Sequence, residues 1–240
     1  SKVKYIQSLG QKKHRDETGL FIAEGHRVVA ELLQTVPGQI NAVYALPAWL
    51  DAQQPLYPAI EFEAVSEDEL AKISQLQTPN QVLAVVKKFE RAEPLDPTGS
   101  ITLALDTIQD PGNMGTLIRL ADWFGVAQIV CTPGSADIYN PKVVQSTMGS
   151  IARIPVFEVS LAQWLSQQKN VRIYATALDG QDVGSMKKLA GGIIVIGNES
   201  KGISDEVMRV ANVRITIPRR GKAESLNAAV AAGIVLAQLT

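Results

Sequence analysis

Five apolar runs, "ITLALD", "AQIVCT", "VRIYATAL", "GIIVIGN" and "VRITIP", recur through the chain after residue 100. A strand with one wet face alternates apolar and polar residues, whereas continuous runs suit strands covered on both faces of a parallel sheet. Helical segments fall between and after them: "NMGTLIRLADWFG", "PKVVQSTMGSIA", "LAQWLSQQ", "SDEVMRVA" and "SLNAAVAAGIVLAQLT". This rhythm predicts an α/β domain of the doubly wound kind, with its ligand at the carboxyl ends of the strands.

The stretch "FERAEPLDPTGS", 89 to 100, mixes prolines, a glycine and charge, and reads as a linker. Before it come "GLFIAEG", the helical "EGHRVVAELLQTV", "NAVYAL", "VSEDELAKIS" with Ser66 and Glu69 at capping-box spacing, and "NQVLAVVKKF". The expected organisation is a small α/β domain over 1–92, a linker at 93–100 and a larger α/β domain over 101–240.

At 240 residues, 46% of them hydrophobic, the chain is long enough to bury a core in each domain. No apolar run approaches the roughly 20 residues a membrane helix needs. The opening "SKVKYIQSLG" lacks the apolar region of a secretory signal, and an initiator Met is expected ahead of Ser1. One cysteine, Cys131, excludes an internal disulfide framework and a cysteine zinc site, which suits a reducing cytoplasm. It ends the run "AQIVC" and reads as buried filler rather than a nucleophile. With two histidines, no histidine metal cluster is expected.

The net charge of −1 is silent about nucleic acid; the distribution of charge is what counts. Lys2, Lys4, Lys12, Lys13 and Arg15 precede the first acidic residue, Asp16, and "RRGK" at 219–222 makes a second positive knot. Either can be an ordinary solvated face.

The polar residues of interest lie just past strand ends. "LDTIQDPGNMGTLIRLADWFGV", 105–126, opens like a nucleotide-binding turn, yet Gly112 and Gly115 enclose Asn113 and Met114. Neither the dinucleotide fingerprint nor the phosphate loop can be read there. "IVIGNESKGIS", 194–204, carries Gly197, Asn198, Glu199 and Gly202; "ITIPRRGKAESLNAAVAAG", 215–233, carries Pro218 at a strand end and Ser225 where it can cap an Ala-rich helix. Taken singly, Asn113 can simply start its helix, Arg119 can be a surface cation and Glu199 can help cap the next helix. Three such loops on one sheet point to a shared ligand pocket.

These three stretches, with "DTIQDPGNMGTLIRLADWFG", "GNESKGIS" and "IPRRGKAESLNAAVAAGI" in order, resemble the three motifs of the SpoU (TrmH-like) branch of the SPOUT methyltransferases. The resemblance covers about 100–240, and "SLGQKKHRDETGLFIAEGHRVVAELL" is similar to the small RNA-binding domain that many members carry ahead of it. It implies a carboxy-terminal trefoil-knot α/β domain, S-adenosylmethionine as methyl donor, a ribose 2′-hydroxyl of structured RNA as acceptor, a homodimer and no metal. Pattern alone predicts no knot, since threaded connections are rare. The small residues Ala228, Ala229, Ala231, Ala232 and Gly233 are compatible with close backbone approach in a knot or across a dimer.

Carried over residue by residue, the resemblance places Asn113, Arg119, Glu199 and Asn227 at the polar active-site positions. Thr176, Ala177, Leu178, Gly197, Asn198, Gly202, Ile217, Ser225 and Leu226 would line the cofactor. Arg119 can fork onto the RNA phosphate beside the target ribose; the family's Arg is also discussed as the base, but a guanidinium is effectively never deprotonated. Glu199 is the alternative proton acceptor, or else orients Arg119 or Asn113. Lys12, Lys13, His14 and Arg15 form a basic tetrad suited to phosphate, with Arg219 and Arg220 as a further grip; a solvated helix is the alternative for the tetrad. Against the family pattern, Ala228 and Ala229 stand where Val and Ser are commoner, and Arg219 and Arg220 where an apolar residue often follows Pro218. The expectation is a 2′-O-methyltransferase, with ribosomal RNA favoured slightly over tRNA. Two alternatives remain: a non-catalytic RNA-binding protein of the same fold, or an RNA base methyltransferase.

Overall fold

The apolar runs become strands close to their expected bounds. In the computed structural model, which describes residues 2–240, the first part of the chain forms α1 (Lys2–Ser8), α2 (Lys12–Thr18), β1 (Leu20–Glu24), α3 (His26–Thr35), β2 (Ile40–Ala45), α4 (Pro47–Gln53), β3 (Phe62–Ala64), α5 (Glu67–Ile73) and β4 (Val82–Lys87). Then follow β5 (Ile101–Asp106), α6 (Pro111–Trp123), β6 (Gln128–Cys131), α7 (Pro141–Thr147), β7 (Val156–Glu158) and α8 (Leu161–Ser166). The chain finishes with β8 (Ile173–Asp182), β9 (Gly192–Gly197), α9 (Asp205–Val210), β10 (Val213–Thr216) and α10 (Ala228–Leu239).

Two compact units result: the chain up to Glu90 together with Asp137–Arg153, and Arg91–Ala136 together with Ile154–Thr240. In the first, the sheet runs β1-β4-β2-β3, with β4 antiparallel to β1 and β2, and β3 parallel to β2. Alternate residues of β1 serve opposite faces. Phe21 and Ala23 pack with Val28, Val29, Leu32 and Leu33 of α3, while Ile22 packs with Ile6, Leu9, Leu70 and Ile73. The capping box at the start of α5 forms in full between Ser66 and Glu69.

Residues 137–153 part from the expected 101–240 domain. Val144 of α7 and Ile151 sit in the core cluster of α3, and Tyr139 stacks against Phe21 at 4.8 Å between ring centroids. The physical reason is that an amphipathic helix between two strands announces that it has an apolar face but not which sheet that face covers.

In the second unit six strands, all parallel, run in the order β10-β8-β9-β5-β6-β7. Leu103, Ala104 and Leu105 of the central β5 are fully buried, as a continuous apolar run requires. The edge strand β7, three residues long, lies outside the five expected runs because it is too short to carry a periodic signal. From β5 the chain builds outward through β6 and β7, then crosses to place β9 on the other side of β5. The order therefore reverses between β5 and β9, and open parallel sheets bind their ligands at the carboxyl ends of strands at such a point. The linker has no regular element, but buried Gln128 accepts from Leu95 N and donates to Leu95 O, both at 2.8 Å.

Candidate active site

Asp106 and Gly197, the last residues of β5 and β9, are register partners at the switch point. Asp106 is buried; its Oδ2 accepts from Ser204 N at 2.7 Å and its Oδ1 from Thr107 Oγ1 at 3.2 Å. Thr107 has φ of 60°, rare for a β-branched residue. Its surroundings hold it there: Thr107 N donates to Thr132 Oγ1 at 2.7 Å and Thr107 O accepts from Asn198 Nδ2 at 2.8 Å. Asn198 Oδ1 in turn accepts from Ser200 N at 2.9 Å and Lys201 N at 3.0 Å, and its backbone exchanges two hydrogen bonds with Gly202. Gly197 makes this fold-back possible, since a Cβ there would lie 2.4 Å from Gly202 C and from Ile203 N. The loop after β9 is thus clasped to the loop after β5.

Asp110 caps α6 by accepting from Asn113 N at 2.7 Å, with Pro111 in the first turn. This fixes Asn113 at the helix start, buried, with both ends of its amide engaged. Asn113 Nδ2 donates to Glu199 Oε1 at 3.0 Å, and Asn113 Oδ1 accepts from Asn227 Nδ2 at 2.9 Å. Asn227 Oδ1 accepts from Ala229 N at 2.9 Å and Val230 N at 3.2 Å, making Asn227 the N-cap of α10. Ser225, expected to cap this helix, is exposed and does not. The chain turns helical only at Ala228, so the residue just ahead of that point has the capping geometry. Three of the expected polar residues, separated by 86 and 114 positions, therefore meet.

Arg119 takes no part in this network. Six residues past Asn113 on α6, it stands about 120° around and about 9 Å along the helix. It is exposed, on the stripe that also carries Gly112, Thr116 and Trp123.

Of the expected cofactor-lining residues, Thr176 ends the inner part of β8, donating from Oγ1 to Val195 O at 2.9 Å, with Ala177 half-buried beside it. Leu178 is 82% exposed and Leu226 48%, unusual for leucines, and Ile217 is half-buried. Thr216 Oγ1 donates to Leu178 O at 3.3 Å, which joins the end of β10 to β8.

The structure divides the basic tetrad, burying Arg15 and leaving Lys12, Lys13 and His14 at the surface. Arg15 is 2% exposed; its guanidinium donates to Leu9 O, Gly10 O and Asp137 Oδ2 at 2.9, 2.8 and 2.7 Å. The reading of Arg15 as an RNA contact is corrected: it is an internal strut between α2 and the 137–153 segment. Lys12 pairs with Asp16 at 2.8 Å, Lys13 with Glu17 at 3.9 Å and His14 with Glu17 at 3.2 Å. One turn of helix brings the acids that follow the tetrad onto its exposed cations. Hydrogen bonds from Lys12 and Lys88 hold the Asp16 carboxyl down at about 2. Arg219 and Arg220 are exposed, Arg219 donating to Ala223 O at 3.3 Å.

Asp106, Thr107, Asp110 and Thr132 belong to the site's framework, although sequence reasoning passed over them. The Asp110-Pro111 pair, an N-cap followed by proline at the first helical position, carried a legible signal. Cys131 is buried, and desolvation pushes its thiol up to about 12, consistent with filler. Among the described residues no cluster of His, Cys, Asp and Glu could hold a metal ion, and no helix is long and apolar enough to cross a membrane.

Comparison with known proteins bears on both units. Residues 100–237 match the SpoU rRNA Methylase family, and residues 1–84 match the MRM3-like substrate binding domain. The chain is 33% identical to the 23S rRNA (guanosine(2553)-2′-O)-methyltransferase RlmP of Bacillus subtilis, over 99% of this chain and 95% of that protein. The AdoMet-bound rRNA methyltransferase of Sinorhizobium meliloti superposes with a TM-score of 0.84 at 32% identity, covering 98% of this chain and 92% of that one. The SpoU methyltransferase AviRb of Streptomyces viridochromogenes, solved with AdoMet, gives a TM-score of 0.84 at 26% identity, covering 99% and 96%.

Proposed function

The chain belongs to the SpoU rRNA Methylase family, and we propose that it transfers a methyl group from S-adenosylmethionine to a ribose 2′-hydroxyl of structured RNA, ribosomal before transfer RNA, at the carboxyl ends of its parallel sheet. The observation that carries this reading is the convergence of Asn113, Glu199 and Asn227, with the exposed Leu226 next to Asn227 in the chain.

The residues present fit the cofactor. Leu178, left open on β8, Leu226, left open just ahead of α10, and Ile217, half-buried after β10, suit a flat adenine, and the backbone at 176–178 and 197–198 offers amides and carbonyls for its edge. S-adenosylmethionine, when bound, supplies an activated methyl group on a positively charged sulfur. The protein's share of the work is placement, and holding two reactants in line is worth roughly 7–11 kcal/mol in favourable systems. Arg119, permanently charged and free of the internal network, serves as the phosphate clamp beside the target ribose and steadies charge developing on its oxygen. Ser225 is open to hydrogen-bond ribose or the cofactor's carboxylate.

The protein works as a homodimer in this reading. Trp123 on α6 is 83% exposed and Val230 on α10 52%, on helices close enough that a Cβ at Gly233 would meet Leu120 at 3.6 Å. Adjoining exposed apolar residues of this size call for a cover, and a second copy puts Arg119, on the same stripe, within reach of a neighbouring site. A trefoil knot belongs to the same reading. Its support is that β10 pairs with two separated stretches of β8, Tyr174–Ala175 and Gln181–Asp182, while a Cβ at Gly180 would lie 2.7 Å from Arg214 C. The first unit selects the RNA, with Lys12, Lys13 and His14 left as its candidate contacts and Arg219 and Arg220 adding grip from the second. The place of action is the cytoplasm, where ribosomal RNA is found.

The deciding experiment treats total RNA with the protein and labelled S-adenosylmethionine and maps products by primer extension at low nucleotide concentration. Stops characteristic of 2′-O-methylation are expected. Stops persisting at high nucleotide concentration would indicate a methylated base instead. Absence of saturable heat on titration with S-adenosylmethionine would leave only an RNA-binding protein.

A further inference from the structure

Hydrogen bonding between side-chain amides normally leaves their direction open, because each end can be donor or acceptor by a flip. Here it is closed. Ala229 N and Val230 N at the start of α10 can only donate, so the Asn227 atom they meet, at 2.9 and 3.2 Å, must be its carbonyl oxygen. The other end of Asn227 is then the amide nitrogen, and the Asn113 atom 2.9 Å from it must be an oxygen. That leaves Asn113 Nδ2 facing Glu199 Oε1 at 3.0 Å, so Oε1 is engaged as an acceptor and Oε2 is the oxygen left open. Glu199 Oε2 has no partner among the described residues, and the residue is only half-buried.

We infer that Asn227 and Asn113 are positioning residues that transmit the polarity of the α10 amino terminus to Glu199, and that Glu199 Oε2 is the acceptor of the ribose 2′-hydroxyl proton. The inference rests on the methyl-transfer reading above. In the transfer step the ribose O–CH3 bond forms as the donor's S–CH3 bond breaks, its electron pair staying on sulfur. The hydroxyl proton passes to Glu199 Oε2, so the positive charge of the donor and the negative charge of the carboxylate disappear together. The proton later leaves to water. Arg119 cannot fill this role, because its guanidinium holds its protons under all ordinary conditions. The fixed direction also explains why the α10 cap is an Asn. Ser or Asp would cap the helix equally well, but neither has an amide to donate onward.

Three variants of the full-length protein test this. Glu199→Gln keeps the acceptor for Asn113 but has no place for a proton. Single-turnover transfer should fall by about 10²- to 10⁴-fold, the usual worth of a general base, with S-adenosylmethionine affinity by calorimetry within about threefold. Its residual rate should climb about tenfold per pH unit as hydroxide takes over, which a merely structural loss would not produce. Asn227→Ser and Asn227→Asp keep the cap, so backbone amide exchange at Ala229 and Val230 should stay slow. The side-chain amide resonance of Asn113, followed by NMR without cofactor or RNA, should move and its exchange quicken. Transfer should fall at least about tenfold, as one lost hydrogen bond of 1.4 kcal/mol implies. An Asn113 resonance unchanged in both Asn227 variants overturns the relay. A Glu199→Gln enzyme with wild-type rate and pH profile overturns the proton assignment. Failure of the wild type to methylate any RNA would instead overturn the functional reading, leaving the Asn113 resonance to decide the relay.

Discussion

The run Lys12–Arg15 and the trio Asn113, Glu199 and Asn227 both looked functional in sequence, and the structure treats them oppositely. The run is local, and its own helix divides it: Asp16 and Glu17 pair with its exposed members and Arg15 turns inward. The trio is scattered over more than a hundred positions, and parallel strand ends bring it together. Adjacency along a helix exposes a cation to neutralisation by its neighbours one turn on. Adjacency at the switch point of a sheet has no such counterweight, because each residue arrives on a separate loop.

Substitutions can break or sharpen this contrast. If Arg15 is a strut, Arg15→Met should destabilise the protein by about 3–5 kcal/mol, since Asp137 would lose its buried partner. Lys13→Ala should fall within about 0.5 kcal/mol of wild type in the same denaturant melts. Equal, small effects would restore the tetrad as a surface feature. Arg119→Ala should lower methyl transfer by about 10²- to 10³-fold with cofactor binding kept, and normal turnover in that variant would remove Arg119 from the mechanism. Gly197→Ala forces a methyl group against the Gly202 backbone and should cost about 1–3 kcal/mol of stability, together with most S-adenosylmethionine binding by calorimetry. Tight binding in that variant would show that the loop fold-back is dispensable.

The smallest expected effect concerns Glu24. Burial raises its carboxyl above the ordinary range, against the hydrogen bonds from Ser74 and Gln75. The protonated form is therefore favoured in the folded chain, and its contribution to stability is full at low pH and is lost as pH rises through the elevated value. Glu24→Gln should flatten the pH dependence of stability above the ordinary carboxylate range; an unchanged slope would assign it elsewhere.

The architecture of the second unit was legible because five of its six strands are continuous apolar runs, and the site because its loops carry polar residues just past those runs. Four things were not. The strand β7 is too short to register, and the residence of α7 depends on which apolar partners are nearest in space. The clasp around Thr107 depends on a left-handed backbone that no β-branched residue advertises. The cap of α10 went to Asn227 rather than Ser225 because either residue type suits a cap and only the first helical residue decides.

Residues 137–153 leave the six-stranded unit after β6, lodge Val144 and Ile151 in the other core, and return before β7. A genetic cut at the linker therefore cannot deliver two self-sufficient pieces. The carboxy-terminal fragment would carry a helix stripped of its cover, and the amino-terminal one would be missing part of its wall. Neither unit is a continuous stretch of sequence, so no single cut leaves each piece with the whole of its own core and nothing of the other's.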